Sequence, residues 1–408
     1  MTTAHHRLGG EKIPASTLLG LALVRSGVLS AEWAPSFAAV PRSAFLPALM
    51  WPWDMEAGCS VFVSRADEPE RWRAYADADC PVVTQWDDGA HAGTEPGVAA
   101  TSSASMPSVV FRMLRELDLR PGHKVLEIGT ATGWNAALLA HRAGAGRVVS
   151  VEVDAGVAER ARGVLERFGS AVRVVHGDGG LGYPEGAPYD RIVGTCGVRR
   201  FPWVWVEQCR PGGMLVAPWG TYYSNADGLV RLVVAEDGRS ASGKFTGPVE
   251  FMKLRAHRLR PVEHAEYVPG SVRGGDETST ELTEEEFTGG AFGPQRFVIG
   301  LRVPDCVQVE AEKRDGARPV WLYGLRDRSW ACAYFRDGGG ARVWQGGPRR
   351  LWDEAEAAYQ WWEGNGRPGH ERFGLTVTAE GEEVWLDEPG KSAGFRGISG
   401  ELGDGGEC

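Results

Sequence analysis

Glycine and carboxylate positions near the middle of the chain have the spacing of a nucleotide-binding turn. A short apolar run, residues 125–128, ends at Gly129, and a helical pattern begins soon after Gly133. That order is typical of a buried strand, a tight turn and the start of a helix. Glycines let the backbone approach a ligand closely, and free N–H groups at a helix start suit a polar or anionic group. A second strand pattern, 147–153, carries Glu152 where such a unit holds ribose hydroxyls. The pattern predicts a nucleotide-type ligand, with a purely structural turn as the alternative.

The turn is one of a series of motifs whose order resembles that of a known family. The motifs are Val40-Pro-Arg-Ser-Ala-Phe-Leu-Pro47, Thr101-Ser-Ser-Ala-Ser-Met-Pro107, Glu127-x-Gly129-x-x-x-Gly133, His176-Gly-Asp-Gly-Gly180, Ala187-Pro-Tyr-Asp-Arg-Ile192 and Gln208-Cys-Arg-Pro-Gly-Gly-Met-Leu-Val-Ala-Pro218. The series resembles the protein L-isoaspartate (D-aspartate) O-methyltransferase family, over roughly residues 15–47 and 100–235. Ala131 replaces the usual middle glycine, and Trp134 replaces the usual tyrosine. The remaining residues, 48–99 and 250–408, are expected to have no counterpart in the short repair enzymes.

The resemblance implies an S-adenosylmethionine-dependent enzyme with a Rossmann-like α/β fold and a doubly wound methyltransferase sheet. The methyltransferase domain is expected at 100–260, an N-terminal helical region with an insertion at 1–99, and a C-terminal α+β accessory domain at 295–408. The resemblance also implies which residues meet the cofactor. They are Glu127 at the methionine amine, directly or through water, Gly129, Thr130 and Gly133 along the methionine end, Glu152 at the ribose, and Asp178 and Gly179 at the adenine edge. For Trp134 two positions are open, over the methionine chain or in the core.

Methyl transfer to a carboxylate requires alignment rather than a general base, because the carboxylate is ionised at neutral pH and the methyl group is already activated. A hydroxyl that donates to the non-reacting carboxylate oxygen would orient the substrate. By its place before Pro107, Ser105 resembles the serine of the family's Thr-Ile-Ser-Gln-Pro phrase and is the predicted catalytic residue. The alternative for Ser105 is a helix N-cap. Ser103, Thr195 and Arg199 are weaker candidates for contacts with the substrate.

Residues outside the shared motifs shape the functional prediction. The general arrangement of these extra segments, and the phrase Phe251-Met-Lys-Leu-Arg-Ala-His257, resemble a longer branch of the family. Members of that branch take part in the biosynthesis of ribosomally synthesised, modified peptides such as graspetides, lanthipeptides and lasso peptides. That branch methylates an aspartate side chain, and the ester then forms an aspartimide. The main prediction is therefore tailoring of a modified precursor peptide, and the alternative is repair of isoaspartate in damaged proteins. A third alternative, a peptide-binding scaffold without activity, rests only on Ala131.

Charge and composition limit the partners of the chain. Its 408 residues carry a formal net charge of −10 and no basic run, which argues against nucleic acid and anionic membranes. No apolar stretch is long enough to span a bilayer and no leader pattern is seen, so a cytoplasmic enzyme is expected. The 7 cysteines are dispersed without a Cys-x-x-Cys pair, and the histidines lack ligand spacing, so neither a disulfide framework nor a metal site is predicted. The oligomeric state is left open.

Hydrophobic patterns place the motifs on alternating elements. Residues 11–40 show helical spacing, and 108–234 alternate between helix and strand patterns, which favours a parallel sheet. Residues 50–99 are expected either near the active-site mouth or as an inert surface excursion, and 272–294 as a linker or long loop. Strand patterns then follow at 297–303, 320–323, 330–335, 341–344, 373–378 and 383–386, with a helix that carries Leu351, Ala355, Ala358, Tyr359 and Trp362 on one face. The tryptophans beyond residue 295 form either the core of this domain or a peptide-binding groove.

Overall fold

The structure of the protein, a computed structural model, contains two compact units. It describes residues 7–8, 11–12, 15–268, 270–290 and 292–390. The first unit comprises residues 1–196 and 204–216, and the second comprises residues 197–203 and 217–408. The three-domain division expected from the sequence stays a prediction. Among the described residues, no helix is both long and apolar enough to cross a membrane.

The first unit combines helices with parallel and antiparallel strands. Its helices are α1 (Ala15–Arg25), α2 (Ala34–Ala39), α3 (Pro69–Ala76), α4 (Pro107–Glu116), α5 (Trp134–Ala143), α6 (Ala155–Phe168) and α7 (Trp203–Gln208), which begins in the second unit. Its strands are β1 (Arg7–Leu8), β2 (Glu11–Lys12), β3 (Leu49–Asp54), β4 (Cys59–Ser60), β5 (Val63–Ser64), β6 (Val82–Trp86), β7 (Ala100–Ala104), β8 (Val125–Ile128), β9 (Val148–Glu152), β10 (Val172–His176), β11 (Tyr189–Gly194) and β12 (Cys209–Trp219), which ends in the second unit.

Parallel strands form the central sheet of the first unit, in the order β10-β9-β8-β11-β12. Every residue of β8 and β9 is buried. Parallel sheets are covered on both faces, so central strands read as nearly continuous apolar runs. The strand patterns at 125–128, 147–153 and 172–175 fall on β8, β9 and β10. The predicted Rossmann-like α/β fold is confirmed.

The helices of this sheet begin and end at residues suited to those positions. α5 starts directly after Gly133, which adopts the left-handed conformation. α6 is capped by Asp154, whose side chain accepts a hydrogen bond from the N–H of Val157 at 2.9 Å, and it ends at Gly169 with φ of 80°. Such caps satisfy the main-chain groups that a helix leaves without partners at its ends.

Residues 48–104 form an antiparallel sheet with a core of its own. The strands follow the order β4-β3-β6-β7, and β5 pairs with β3. Trp72 from α3 packs in that core with Met50 and Val82. Strand β7 ends one residue before Ser105. These residues are therefore not a surface excursion, because they form a sheet with a buried core that leads into the Ser105 segment. Their place at the mouth of the active site stays a prediction.

The second unit is largely antiparallel. Its strands are β13 (Asp227–Val234), β14 (Ser240–Val249), β15 (Asp276–Thr280), β16 (Cys306–Glu310), β17 (Ala317–Gly324), β18 (Trp330–Arg336), β19 (Ala341–Gly346), β20 (Phe373–Thr378) and β21 (Gly381–Leu386). Its helices are α8 (His264–Tyr267), α9 (Glu284–Thr288), α10 (Pro294–Arg302) and α11 (Leu351–Gly364). Strands β13, β14, β20 and β21 pair in that order, and a five-stranded sheet has the order β15-β19-β18-β17-β16.

Most of the elements predicted for the second unit are present. Strands β17 to β21 confirm the five later patterns, and α11 buries all the residues of the predicted apolar face. The expected strand at 297–303 is wrong, because those residues lie mainly in α10. A short, continuous apolar run has no period that separates a strand from a buried helix, and Pro294 suits the first turn of a helix. The loop expected at 272–294 is also wrong in part, since it contains β15 and the capped helix α9.

The tryptophans of this region lie mostly in the core. Trp330, Trp352, Trp362 and Trp385 are buried, and Trp352 packs its ring 4.7 Å from that of Phe287. These side chains favour the core alternative. The peptide-binding groove stays a prediction.

Candidate active site

The turn after β8 has the backbone conformation that its glycines predict. Gly129 and Gly133 have φ of 96° and 84°, in the left-handed region that favours glycine. A Cβ atom at Gly129 would lie 2.5 Å from Oγ1 of Thr195, which donates a hydrogen bond to the carbonyl of Gly129 at 2.6 Å. Thr195 follows β11, so its hydroxyl fixes the turn after β8 at the carboxyl end of the neighbouring strand.

Ala131 is the residue at which this turn departs from the family pattern. Its φ is 47°, so an L-residue occupies a left-handed conformation that costs roughly 1–2 kcal/mol. Glycine adopts this conformation without that cost, which explains why the family usually has glycine at this position. The N–H of Ala131 donates to Oε2 of Glu152 at 2.9 Å, which connects the turn to the end of β9.

Glu127 lies fully buried within a directed chain of hydrogen bonds. Its oxygens accept from Nδ2 of Asn135 at 2.7 Å and from Oγ of Ser150 at 2.5 Å. When Glu127 is ionised, Ser150 donates its one hydroxyl proton to that carboxylate, and Thr130 is then the donor in its 2.6 Å contact with Ser150. Loss of hydration raises the pKa of Glu127 to about 7, and the bonds from Ser150 and Asn135 oppose that rise.

This chain of bonds changes the expectation for the methionine end of the site. Both oxygens of Glu127 are engaged inside the protein, so its direct contact with an amine stays a prediction that its burial does not favour. Asn135 is half-buried, and its amide nitrogen donates to Glu127, so its side-chain oxygen is not used in that bond. Asn135 was not among the residues predicted from the sequence. Its signal was a polar residue in the first turn of an otherwise apolar helix.

The other cofactor candidates lie at the carboxyl ends of β9 and β10. Glu152 is the last residue of β9, and its Oε1 accepts from the N–H of Asp154 at 3.1 Å. Asp178 follows β10, is exposed, and accepts from the N–H of Gly180 at 2.8 Å. Gly179 is buried, and its carbonyl accepts from Nε1 of Trp205 at 2.9 Å. The parallel strands thus bring these candidates to one edge of the sheet, where ligands of such folds bind.

Trp134 belongs to the core. Its ring is 3% exposed, its Nε1 donates to the carbonyl of Val40 at 3.0 Å, and Phe111 packs edge-on against it. Of the two positions open for this residue, the structure therefore favours the core.

Ser105 is not the cap of the helix that follows it. The residue before α4 is Met106, which makes no side-chain cap bond. Instead, Oδ1 of Asp79 accepts from the N–H of Ser108 at 2.8 Å. The capping alternative for Ser105 is therefore wrong, and its catalytic role stays a prediction. Ser103 is half-buried in β7, and its role in substrate binding stays a prediction as well.

Arg199 lies in the second unit with its guanidinium turned inward. It is 5% exposed and donates to the carbonyl of Ser224 at 2.9 Å and to that of Thr221. Asp227, which is fully buried, lies 3.5 Å from Arg199 and also accepts from Lys253. Burial lowers the pKa of Arg199, and the neighbouring carboxylate opposes that change. The predicted contact of Arg199 with the substrate stays a prediction, and its observed partners favour a structural role.

A doubly wound sheet with a glycine turn after one strand and a carboxylate at the end of the next is the arrangement of enzymes that bind a nucleotide-type cofactor, and S-adenosylmethionine-dependent methyltransferases are one such class. Comparisons with known proteins specify the family. A family model described as Protein-L-isoaspartate(D-aspartate) O-methyltransferase (PCMT) matches residues 71–258. The protein-L-isoaspartate O-methyltransferase of Pyrococcus horikoshii is 41% identical over 186 residues, which are 45% of this chain and 77% of that protein. The protein of the same name from Hyperthermus butylicus is 34% identical over 243 residues, which are 57% of this chain and 85% of that protein. The chain belongs to the protein-L-isoaspartate(D-aspartate) O-methyltransferase family.

The comparisons also fix the class of reaction. The chain is an S-adenosylmethionine-dependent protein carboxyl O-methyltransferase, and its cofactor is S-adenosylmethionine. The family match runs from residue 71 to residue 258, so residues 71–99 and 250–258 are part of the family region, and the expectation that they have no counterpart is wrong. A solved structure named protein-L-isoaspartate O-methyltransferase has the same fold, with a TM-score of 0.51 at 22% identity over 91% of this chain and 100% of that one.

Proposed function

We propose that this enzyme methylates the free carboxylate of isoaspartyl residues in polypeptides. The observation that carries the proposal is the likeness to enzymes named for that substrate, at 41% identity over 77% of one relative. The fold likeness to a structure of the same name extends over 91% of the chain. The fold of the second unit is therefore no argument against the repair function, and its presence does not require a role in the tailoring of a modified peptide.

The residues at the edge of the sheet fit the cofactor. Gly129 and Gly133 allow the left-handed turn at this edge, and a Cβ atom at Gly129 would lie 2.5 Å from Oγ1 of Thr195, so a side chain there would displace the turn. Glu152 offers a carboxylate for ribose hydroxyls, and Asn135 offers a carbonyl oxygen for an ammonium group. When bound, the cofactor supplies a methyl group already activated on a sulfonium ion.

The protein's own contribution is alignment. The substrate carboxylate is ionised at neutral pH, so no residue has to remove a proton. Ser105 donates one hydrogen bond to the non-reacting carboxylate oxygen and leaves the other oxygen free to attack. Holding the reacting atoms in line converts an encounter into an intramolecular step, and exclusion of water protects it from competing nucleophiles.

A second candidate function is methylation of an aspartate side chain in a ribosomally synthesised, modified precursor peptide, followed by aspartimide formation. It is favoured by the phrase at 251–257 and by the chain beyond residue 258, which lies outside the family match. In the structure, this phrase holds the segment after β11. The carbonyl of Met252 accepts from the N–H of Gly197 at 2.8 Å, and Lys253 donates to Asp227.

Three peptides of matched sequence distinguish the two functions. The purified enzyme is incubated with S-adenosylmethionine and an isoaspartyl peptide, the normal aspartyl peptide, or a cyclised precursor peptide. The proposal expects gain of one methyl group on the isoaspartyl peptide and none on the aspartyl control, as measured by mass spectrometry. Methylation of the cyclised peptide alone, followed by loss of methanol, would favour the second function and overturn the first.

A further inference from the structure

The guanidinium of Arg42 lies buried among main-chain carbonyls around Ser105. Arg42 is 4% exposed and has no part in the reaction described above. Its Nη2 donates to the carbonyls of Cys80 at 2.9 Å, Ala104 at 2.9 Å and Ser105 at 3.1 Å. Its Nη1 donates to the carbonyl of Ala78 at 3.3 Å. One side chain therefore ties the segment before β6 to the end of β7.

Asp79 holds the same segment from the other direction. Its carboxylate accepts the Ser108 N–H at the start of α4, where Met106 provides no side-chain cap. A carboxylate at a helix N-terminus also interacts favourably with the helix dipole. Asp79 thus performs, from a distant place in the sequence, the function usually performed by the residue before the helix. Main-chain groups on both sides of the Ser105 hydroxyl are fixed.

Arg42 also reaches the helix that follows the glycine turn. Its guanidinium lies 5.7 Å from the ring centroid of Trp134, the first residue of α5. Burial lowers the pKa of Arg42 to about 10, so the side chain is still charged at neutral pH. A planar guanidinium presents several donors in a rigid fork, which an ammonium group does not reproduce. A lysine at this position would lose the geometry while it kept the charge.

We propose that Arg42 and Asp79 are positioning residues, which together hold segment 104–108 so that the Ser105 hydroxyl meets the substrate carboxylate. The inference rests on the proposed function in one respect, since it assigns Ser105 to orientation of that carboxylate. It adds that residues 78–80, which connect α3 to β6, take part in catalysis through the main chain of another segment.

The test uses the full chain with Arg42→Lys, Asp79→Ala and Asp79→Asn. For each variant, kcat and KM with the isoaspartyl peptide are measured, together with the Kd for S-adenosylhomocysteine by calorimetry. We expect kcat to fall about tenfold or more in Arg42→Lys and Asp79→Ala, because small misplacements of an orienting group are costly. The Kd should stay near the wild-type value. Asp79→Asn keeps an acceptor oxygen and should restore most of kcat, and Arg73→Lys, an exposed arginine in α3, is the matched control.

The same variants in a Ser105→Ala background separate positioning from general stability. If Arg42 and Asp79 act through the hydroxyl, their substitution should cause little further loss of kcat once the hydroxyl is absent. Equal losses in both backgrounds would overturn the proposal, as would losses fully explained by a higher Kd for the cofactor product or by a lower melting temperature. If Arg42→Lys does not fold, the comparison of Asp79→Ala with Asp79→Asn tests the proposal. Full activity of Ser105→Ala would overturn the positioning role and leave the proposed function standing.

Failure of the proposed function is recognised separately, by absence of wild-type turnover on the isoaspartyl peptide. In that case hydrogen exchange decides whether the segment is held as inferred. Residues 101–110 should exchange faster in Arg42→Lys and Asp79→Ala than in the wild type, with β8 unchanged. Unchanged exchange in 101–110 would overturn the inference.

Discussion

The hydroxyl of Ser105 provides the sharpest test at the level of a single residue. A hydrogen bond to a charged group contributes roughly 1.5–3 kcal/mol. Ser105→Ala is therefore expected to lower single-turnover rates about ten- to hundredfold. Cofactor affinity and melting temperature should be nearly unchanged, because the serine does not cap α4. Ser108→Ala, which keeps its N–H bond to Asp79, is the control. A wild-type rate in Ser105→Ala would remove this residue from the mechanism.

Glu127 predicts a pH dependence of stability. Its pKa is raised from 4.5 to about 7 in the folded protein, where its side chain is buried. Between these values the folded state holds a proton that the unfolded chain has released, so the free energy of unfolding should fall as pH rises from about 4.5 to about 7. Glu127→Gln removes this contribution, which amounts to at most about 1.4 kcal/mol per pH unit.

The measurement compares urea unfolding of the wild type and Glu127→Gln at several pH values between 5 and 8. The difference between the two plots of unfolding free energy against pH isolates the contribution of Glu127 from that of other groups. One such group is Glu382, because burial also raises its pKa to about 7. Glu185→Gln, at an exposed position, should follow the wild type. A difference that does not vary with pH would show that Glu127 is not the titrating group.

At the scale of elements, the turn after β8 carries strain at Ala131. Ala131→Gly removes a left-handed L-residue, which costs roughly 1–2 kcal/mol, and adds chain entropy worth roughly 0.5–1 kcal/mol to the unfolded state. The expected result is a free energy of unfolding that rises by up to about 1 kcal/mol. Ala357→Gly, at an exposed position inside α11, should lower it by about 1 kcal/mol. Destabilisation by both substitutions would contradict the account of the turn.

The elements that the sequence predicted best are those in which one physical signal dominates. Strand β8 and the start of α5 were predictable because a buried parallel strand is apolar throughout and Gly133 marks the turn. Helix α10 was mistaken for a strand, since its run of buried apolar residues shows no period. Helix α9 was missed because a segment poor in apolar residues hides a capping box between Thr283 and Glu286.

The candidate site was predictable where contacts are local in sequence. The left-handed glycines and the carboxylate at the end of β9 follow from spacing alone. The partners of Ser105 do not, because Asp79 caps α4 from 29 residues away and Arg42 reaches the Ser105 carbonyl across 63 residues. Such contacts depend on how the antiparallel sheet folds, and no local pattern encodes them.

At the scale of the whole molecule, the second unit should not tolerate removal of its C-terminal half. Strand β14 pairs with β20 from Ser240 to Lys244, and Phe245 packs 5.1 Å from Phe297 of α10. A chain that ends at residue 293 would leave the edge of β14 and this apolar contact exposed, so it is expected to aggregate. A chain that ends at 390 keeps every described residue and should remain monodisperse in gel filtration. A monodisperse shorter chain with native cofactor affinity would show that the second unit is separable.

The bonds of Arg42 have a consequence for how freely this molecule can change in evolution. Every residue type supplies a main-chain carbonyl, so Ala78, Cys80 and Ala104 are acceptors without any demand on their side chains. Only position 42 requires a particular side chain, the arginine guanidinium. The residues whose carbonyls accept its hydrogen bonds can be substituted without loss of those bonds. Analysis of covarying positions in related sequences is therefore expected not to detect this contact. The contact nevertheless joins two segments beside the Ser105 hydroxyl.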